Sequence, residues 1–252
     1  MQKKVAIFGC AGQLGVELSR EFRQRGYAVT GWERSHVDIT SAPAVEEAIT
    51  SVDPEIVVNA AAYNQVDVAE NEPAAAFQVN GLAVRNVALA CRQSGALLVH
   101  FSTDCVFDGA AQRPYTEDDT PHPLGNFIEL MLRLAGEGKT IRVVQDHVAS
   151  PTYAPALASR TADLVEKGAR GVVHCGGGQP ISWYDYAKLI FREAGLEPEL
   201  KPTAEREYRT PARRPRYSAL SNAKMESLGI EPMPPLDTAV RSYLQIRRRW
   251  RE

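Results

Sequence analysis

Three glycines in the run Gly9-Cys10-Ala11-Gly12-Gln13-Leu14-Gly15 stand directly after the apolar stretch Val5-Ala6-Ile7-Phe8. The first glycine of such a series permits a tight turn, and the second lets backbone N–H groups close on a pyrophosphate. The third lets a following helix pack against the strand, while the helix N-terminus attracts the anion. The spacing therefore predicts a dinucleotide site, with Gly9, Gly12, Gln13, Leu14 and Gly15 against the cofactor. The acidic residue expected roughly twenty positions further on is Glu33, with Arg34 beside it. Glu33 would accept a hydrogen bond from a ribose 2′-hydroxyl and favour NADH, whereas Arg34 would pair with a 2′-phosphate and favour NADPH. The sequence carries both signs, so both cofactors stay open. Val37-Asp38-Ile39 is placed against the adenine, with an exposed loop aspartate as an equal alternative for Asp38.

Other chemistries find less support. The five histidines show no ligand spacing such as His-x-x-x-His, and no metal site is expected. Cys10, Cys91, Cys105 and Cys175 form no Cys-x-x-Cys pair and read as reduced thiols of a cytoplasmic protein. A net charge of −2 supplies no broad positive field for nucleic acid or an anionic membrane. The basic tail Arg247-Arg248-Arg249-Trp250-Arg251 reads as the solvated end of a helix. No stretch has the length of a bilayer span, and the N-terminus lacks the apolar core of a secretion signal.

The elements that must position the glycine loop follow from periodicity. Val5–Phe8, Tyr27–Thr30, Ile56–Val58 and Leu97–Val99 are short apolar runs suited to strands buried on both faces. Leu14, Leu18 and Phe22 recur at helical spacing, and Ala74–Cys91 reads as one alanine-rich helix. Strands alternating with helices predict an α/β protein with a Rossmann-type doubly wound parallel sheet. Further along, helices are expected near Asn126–Ala135, Ala156–Lys167 and from Leu236, with a helix capped by Ser182 that runs to Ala194. Strands are expected at Ile141–Val144 and Gly171–His174, residues 198–217 read as irregular, and Ser221 reads as the cap of a short helix ending at Gly229. The expected division is a dinucleotide-binding domain over 1–145 and, over 146–252, mainly a small α/β lobe at the carboxyl ends of the strands, where ligands of such sheets bind.

Several segments together resemble the dTDP-4-dehydrorhamnose reductase family of the extended short-chain dehydrogenase/reductase superfamily. They are Gly9–Gly15, Val58-Asn59-Ala60-Ala61-Ala62-Tyr63, Val66-Asp67-Val68-Ala69-Glu70, and Ser102-Thr103-Asp104 followed by Val106-Phe107-Asp108-Gly109. Later come Ser150-Pro151-Thr152-Tyr153 and Arg214-Pro215 with Ser218. The resemblance implies NAD(P)H-dependent reduction of a nucleotide-linked 4-keto-6-deoxy sugar, and it is compatible with a homodimer. It places Ala60, Ala61, Ala62 and Tyr63 along the cofactor, with Asn80 bracing that loop. It makes Thr103 the partner of the substrate carbonyl and Asp104 a substrate contact. Cys105 departs from the family, which usually has a tyrosine there.

The same resemblance exposes a gap. The superfamily protonates its carbonyl with a tyrosine whose pKa is lowered by a lysine four residues on, a spacing that puts both on one helix face. Counting from Thr103, that pair falls near Phe127 and Met131, and neither can transfer a proton. The literal match Tyr184-Asp185-Tyr186-Ala187-Lys188 lies far downstream and is read as packing. At Leu124-Gly125 the family's text breaks, and about forty residues bearing the acid and one strand are without counterpart. A continuous chain there would hold the two α-carbons about 3.8 Å apart. Two other functions compete: a non-catalytic dinucleotide-binding regulatory subunit, and another sugar-nucleotide enzyme of the superfamily such as an epimerase.

Overall fold

The computed structural model describes residues 2–69, 72–104, 107, 113–119, 128–138, 140–207 and 215–249. Readings that fall on Glu70, Cys105, Val106, Asp108, Gly109, the Leu124–Gly125 junction, Phe127, Arg214, Trp250 and Arg251 lie outside the described residues. The chain forms two compact units. One is Met1–Ser102 with Thr161–Val165, and the other is Thr103–Arg160 with Glu166–Glu252. The main division thus lies at 102/103, earlier than the boundary expected at 145, because the strand over 141–144 pairs within the second unit.

In the first unit the order is β1 (Lys4–Phe8), α1 (Gln13–Gln24), β2 (Ala28–Trp32), α2 (Ala42–Val52), β3 (Ile56–Asn59), α3 (Val66–Ala69), α4 (Pro73–Phe77), a π-helix (Gln78–Leu82), α5 (Ala83–Ser94) and β4 (Leu97–His100). The strands form one parallel sheet in the order β2-β1-β3-β4, as the alternation of strands and helices predicts. The period of two along β1 divides its side chains between the faces. Ala6 and Phe8 join a core with Val57, Val45 and Ile49 of α2, and Val87 and Cys91 of α5. On α1 the four-residue spacing of Leu18 and Phe22 buries both completely. Gly26, at φ +82°, lets the chain leave the helix and enter β2.

The expected single helix over 74–91 is broken. A wider π-turn at Gln78–Leu82 separates α4 from α5 and carries Asn80 toward the loop after β3. The sheet ends at β4 among the described residues. Its Leu97, Leu98 and Val99 are only half-buried, while Val5–Phe8 and Ile56–Val58 are closed in. Phe77 and Leu82 on the π-helix flanks also keep broad exposure.

The second unit contains α6 (Ile128–Gly136), β5 (Ile141–Val144), β6 (Val148–Ala149), α7 (Ala154–Glu166, whose Thr161–Val165 belong to the first unit), β7 (Ile181–Ser182), α8 (Trp183–Ala194), β8 (Leu200–Thr203), α9 (Ala223–Ser227) and α10 (Leu236–Arg249). Its core gathers Met131, Ile141, Val143, Tyr186, Ile190, Phe191, Val240 and Leu244. Ser182 caps α8 as expected, its hydroxyl accepting from the Asp185 N–H. Three readings need correction. Residues 198–217 are not all irregular, since β8 pairs in parallel with β5, and Pro202 is tolerated there as in an edge strand. Gly171–His174 forms no strand, and Val172 is 62% exposed with no ladder partner among the described residues. Asn222, not Ser221, stands at the cap position of the short helix; its side chain is committed to Gly176, and the Ser221 hydroxyl accepts from the Ala223 N–H at 3.4 Å. No helix among the described residues is long and apolar enough to cross a membrane.

Candidate functional site

The glycine loop is built by three neighbours. Trp32 at the end of β2 accepts through its carbonyl from the N–H groups of Gly9 (2.9 Å) and Cys10 (3.3 Å), and its ring packs on Phe8 at 4.9 Å. Gly9 sits at φ +76°, and a Cβ there would lie 2.7 Å from the Ala61 nitrogen. This close approach brings Gly9–Gly15 against the loop after β3, both at the carboxyl ends of parallel strands. The three glycines divide their work. A Cβ at Gly15 would lie 2.1 Å from the Gly9 carbonyl oxygen, so this glycine serves the packing of α1 on β1. A Cβ at Gly12 would meet only that oxygen at 3.4 Å and otherwise point into open space. Gly12 caps α1 without a side-chain hydrogen bond, and no acidic residue stands in the first turn. Uncapped N–H groups beside an open surface are what a pyrophosphate requires, so these residues fit a dinucleotide.

Beyond β2, Glu33 is exposed, and its carbonyl accepts from the His36 and Val37 N–H groups, which turns the chain back. The Arg34 side chain is 83% exposed and leans 3.7 Å toward Asp38. The Thr40 N–H (2.9 Å) and hydroxyl (2.8 Å) hold the Asp38 carboxyl below its ordinary range. Ile39 is buried in the core instead of standing at the surface. Burial, followed by the Glu33 charge, raises the Cys10 thiol, so Glu33 is felt at the glycine loop. After β3, the Ala60 N–H donates to Phe8 O and the Ala61 N–H to Asn59 Oδ1 (3.1 Å). Asn80 clasps Tyr63 by both main-chain groups: Tyr63 N–H to Oδ1 at 2.8 Å and Nδ2 to Tyr63 O at 3.0 Å. Ala62 lies between these anchored positions and is exposed.

Two asparagines missing from the expected set complete this scaffold. Asn59 ends β3 and reaches both Ala61 and His100 Nδ1, at 3.3 Å from the latter. Asn86 on α5 donates to the carbonyls of Ile39 and Thr40. A polar residue closing an apolar strand run is a visible signal for Asn59. For Asn86, distant in sequence from its partners, there was none.

In the second unit Thr103 and Asp104 meet directly. The Thr103 hydroxyl donates to Asp104 Oδ1 at 3.2 Å, and the Ser218 hydroxyl donates to Asp104 Oδ2 at 2.7 Å. Nearby, Phe107 stacks flat on Tyr115 with centroids 4.1 Å apart. The Ser150–Tyr153 turn is fixed against Gly177, where a Cβ would lie 1.8 Å from Pro151 O. Asn222 locks the adjacent Gly176 by two hydrogen bonds of 2.9 Å. Met131, the residue that counting from Thr103 reaches for the lysine, is 2% exposed in the apolar core. The Lys188 ammonium lies over the Tyr184 ring, 5.0 Å from its centroid, and pairs with Asp185 at 3.4 Å. That places the charge on the ring face and on a carboxylate, with Tyr184 packed against the core, so these residues serve helix α8. Among the described residues no cluster of three metal-ligating side chains occurs.

The family model for the RmlD substrate-binding domain matches this chain in two pieces, residues 3–127 and 124–249. They meet where the sequence breaks from the family pattern at Leu124-Gly125. A spore coat polysaccharide biosynthesis protein, SpsK, of Bacillus subtilis is 35% identical, covering 97% of this chain and 98% of the relative. That alignment runs over 278 positions, and 97% of a 252-residue chain is about 244 residues, so about 34 positions have no counterpart here. A dTDP-4-dehydrorhamnose reductase of Streptomyces griseus is 35% identical over 90% of this chain and 88% of its own length. Among solved structures, a dTDP-4-dehydrorhamnose reductase from Clostridium acetobutylicum superposes with a TM-score of 0.93 at 28% identity, covering 97% of this chain and 99% of that one. The Bacillus anthracis reductase, solved in complex with NADP, gives 0.92 at 29% identity over the same shares. The chain belongs to the dTDP-4-dehydrorhamnose reductase family.

Proposed function

We propose that this chain binds NADPH or NADH on Gly9–Gly15 and reduces dTDP-4-dehydro-L-rhamnose to dTDP-L-rhamnose, slowly for want of a tyrosine–lysine pair. The observation that carries the binding half is the contrast between Gly12, open to an approaching phosphate, and Gly15, closed against Gly9. A nicotinamide cofactor held on this loop would supply the hydride for the sugar's carbonyl carbon. What the chain itself does is hold and orient. The α1 N-terminus and glycine-loop amides take the pyrophosphate, and Ala60–Tyr63, braced by Asn59 and Asn80, form a second wall. Thr103, tied to Asp104, is the hydroxyl assigned to the sugar carbonyl. Without a positioned acid of lowered pKa, the proton must come from a weaker donor. General acid catalysis is typically worth about 10²–10⁴-fold, which sets the expected deficit against an intact relative.

One observation favours a second reading, a dinucleotide-binding subunit without turnover. Lys188, in the one literal tyrosine–lysine spacing of the sequence, is engaged with the Tyr184 ring and with Asp185. Single-turnover oxidation of NADPH in the presence of dTDP-4-dehydro-L-rhamnose decides between them. Slow conversion to dTDP-L-rhamnose supports the reductase. Tight binding of both ligands with no conversion supports the subunit, and failure to bind either ligand refutes both.

A further inference from the structure

Asn86 lies on α5 beside the fully buried Val87. It stands three residues after Ala83 and four before Ala90, both buried, so it borders the helix face that packs on the core. Its side-chain nitrogen donates to two successive carbonyls outside that helix, Ile39 O and Thr40 O, each at 3.2 Å. A carbonyl oxygen only accepts, so the –NH2 end of the amide must face the pair, and the two bonds use both of its hydrogens. The residues it grips lie 47 and 46 positions upstream, just before α2.

The gripped segment is tied down elsewhere as well. Ile39 is 6% exposed and belongs to the same core cluster as Val45 and Val87. The Thr40 N–H and hydroxyl reach Asp38 Oδ1 at 2.9 and 2.8 Å, and the Ser41 N–H donates to Asp38 O at 3.0 Å. All three carbonyls of residues 38–40 are therefore engaged, the first by Ser41 and the other two by Asn86. The Asp38 side chain, next to the inward Ile39, keeps 41% exposure. Its Oδ1 is taken by Thr40, while Oδ2 lies 3.7 Å from Arg34 Nε, beyond hydrogen-bond length. A carboxylate is thus presented on a backbone without slack, and the long-range part of that anchorage is Asn86.

A fixed group that only accepts suits a base edge that donates. Adenine offers its N6 amine, whereas hypoxanthine carries a carbonyl oxygen at the same place, which a carboxylate repels. We infer that Asn86 is a positioning residue for the adenine half of the dinucleotide, holding residues 38–40 so that Asp38 meets the N6 amine. This rests on the reading above that Gly9–Gly15 takes a nicotinamide dinucleotide, with Val37–Ile39 along its adenine. It adds a selectivity for the base, set by a side chain outside the glycine loop.

Calorimetry on the full chain with NADH, its hypoxanthine analogue deamino-NADH and dTDP-L-rhamnose tests it. Neither dinucleotide carries a 2′-phosphate, so Arg34 drops out of the comparison. The unaltered chain should bind NADH at least about tenfold more tightly than deamino-NADH, the size of one hydrogen bond to a charged group. Asn86→Ala should weaken NADH about fivefold and deamino-NADH hardly at all, so that the preference falls to about twofold. Affinity for dTDP-L-rhamnose should stay unchanged. Asn86→Leu, of similar size without donors, should behave like the alanine variant, and Asn86→Gln, which keeps the amide, should regain part of the preference. Asp38→Ala should abolish the preference, and adding Asn86→Ala to it should change the ratio no further. Equal losses for both dinucleotides, a glutamine variant no better than leucine, or a preference that survives Asp38→Ala would each overturn the inference. So would an unaltered chain that binds both dinucleotides equally well. If the unaltered chain binds neither, the cofactor reading itself fails.

Discussion

The division of labour between Gly12 and Gly15 allows fold and ligand to be perturbed separately. At Gly12 the backbone lies at φ −72° and ψ 161°, an extended conformation open to any residue, and the nearest atom to an added Cβ is 3.4 Å away. Gly12→Val therefore costs the fold only the difference between a glycine and an apolar helix cap, about 1 kcal/mol. For a chain of this size that lowers Tm by about 2–4 °C. At Gly15 an added Cβ meets the Gly9 carbonyl oxygen at 2.1 Å, Cys10 Cα at 2.8 Å and the Gly9 carbonyl carbon at 2.9 Å, all main chain. No rotamer relieves that overlap, so α1 must move off β1. Gly15→Ala should cost at least about 3 kcal/mol, the upper range for overpacking, and depress Tm by roughly 6 °C or more. The cofactor responds in the opposite order to stability. The valine methyls of Gly12→Val occupy the approach to the α1 amides, and NADPH affinity should fall at least a hundredfold, about 2.8 kcal/mol, in a protein that remains folded. Thermal melts beside NADPH calorimetry measure both quantities. Wild-type NADPH affinity in a folded Gly12→Val, or a Gly15→Ala protein as stable as Gly12→Val, would refute the assignment of roles.

Four further outcomes are expected. NADPH should protect Cys10 from alkylation, as read by mass spectrometry at neutral pH, while Cys91 and Cys175, whose thiols burial pushes up to about 11, react slowly with or without cofactor; Cys10 labelling indifferent to NADPH would place the cofactor elsewhere. Asn80→Ala removes two hydrogen bonds to Tyr63 and should cost about 1 kcal/mol of stability with a several-fold loss in cofactor affinity; equal NADPH affinity would mean that the Tyr63 loop stands without its brace. Arg34→Ala should weaken NADPH more than NADH, because only NADPH offers a 2′-phosphate, and equal losses would show that the guanidinium stays with Asp38. Arg113 above all, with the Thr116 N–H and hydroxyl, holds the Asp119 carboxyl well below its usual value of 3.8. Its folded pKa is depressed, so its contribution is present above that value and is lost as pH falls through the folded pKa. The stability gap between wild type and Asp119→Asn should be widest near neutrality and close in acid; a gap independent of pH would contradict the pairing.

The sheet was legible because its strands are short uninterrupted apolar runs and its helices carry a clean four-residue period, as Leu18 and Phe22 illustrate. The glycine loop was legible because Gly9 and Gly15 answer two distinct steric demands, a positive φ against Ala61 and the packing of α1 on the Gly9 carbonyl, while Gly12 stands open. The features that escaped depend on pairing between distant segments. Nothing local marks Leu200–Thr203 as a strand, since Pro202 argues against one and β5 lies far upstream. Gly171–His174 looks apolar enough for a strand but finds no neighbour among the described residues, and a ladder needs two partners. The Asn59, Asn86 and Ser218 contacts follow from tertiary placement that periodicity does not encode. Tyr184 and Lys188 show the converse: a familiar spacing on a helix whose packing gives it an ordinary task.

The π-turn at Gln78–Leu82 has a consequence for how this chain can vary in length. Such a turn amounts to one residue inserted into an α-helix, and here the helix resumes as α5 with its buried face intact at Ala83, Val87, Ala90 and Cys91. Excising one residue from 78–82 would restore a regular helix, but it would rotate everything upstream by about 100° relative to α5. Either Asn80 would swing away from Tyr63 or Val87 and Cys91 would leave the core. Single-residue deletions, usually harmless in an exposed stretch, should therefore be poorly tolerated in this one. Paired changes that lose a residue here and gain one in the loop before Pro73 would be the route by which a lineage could shed the bulge.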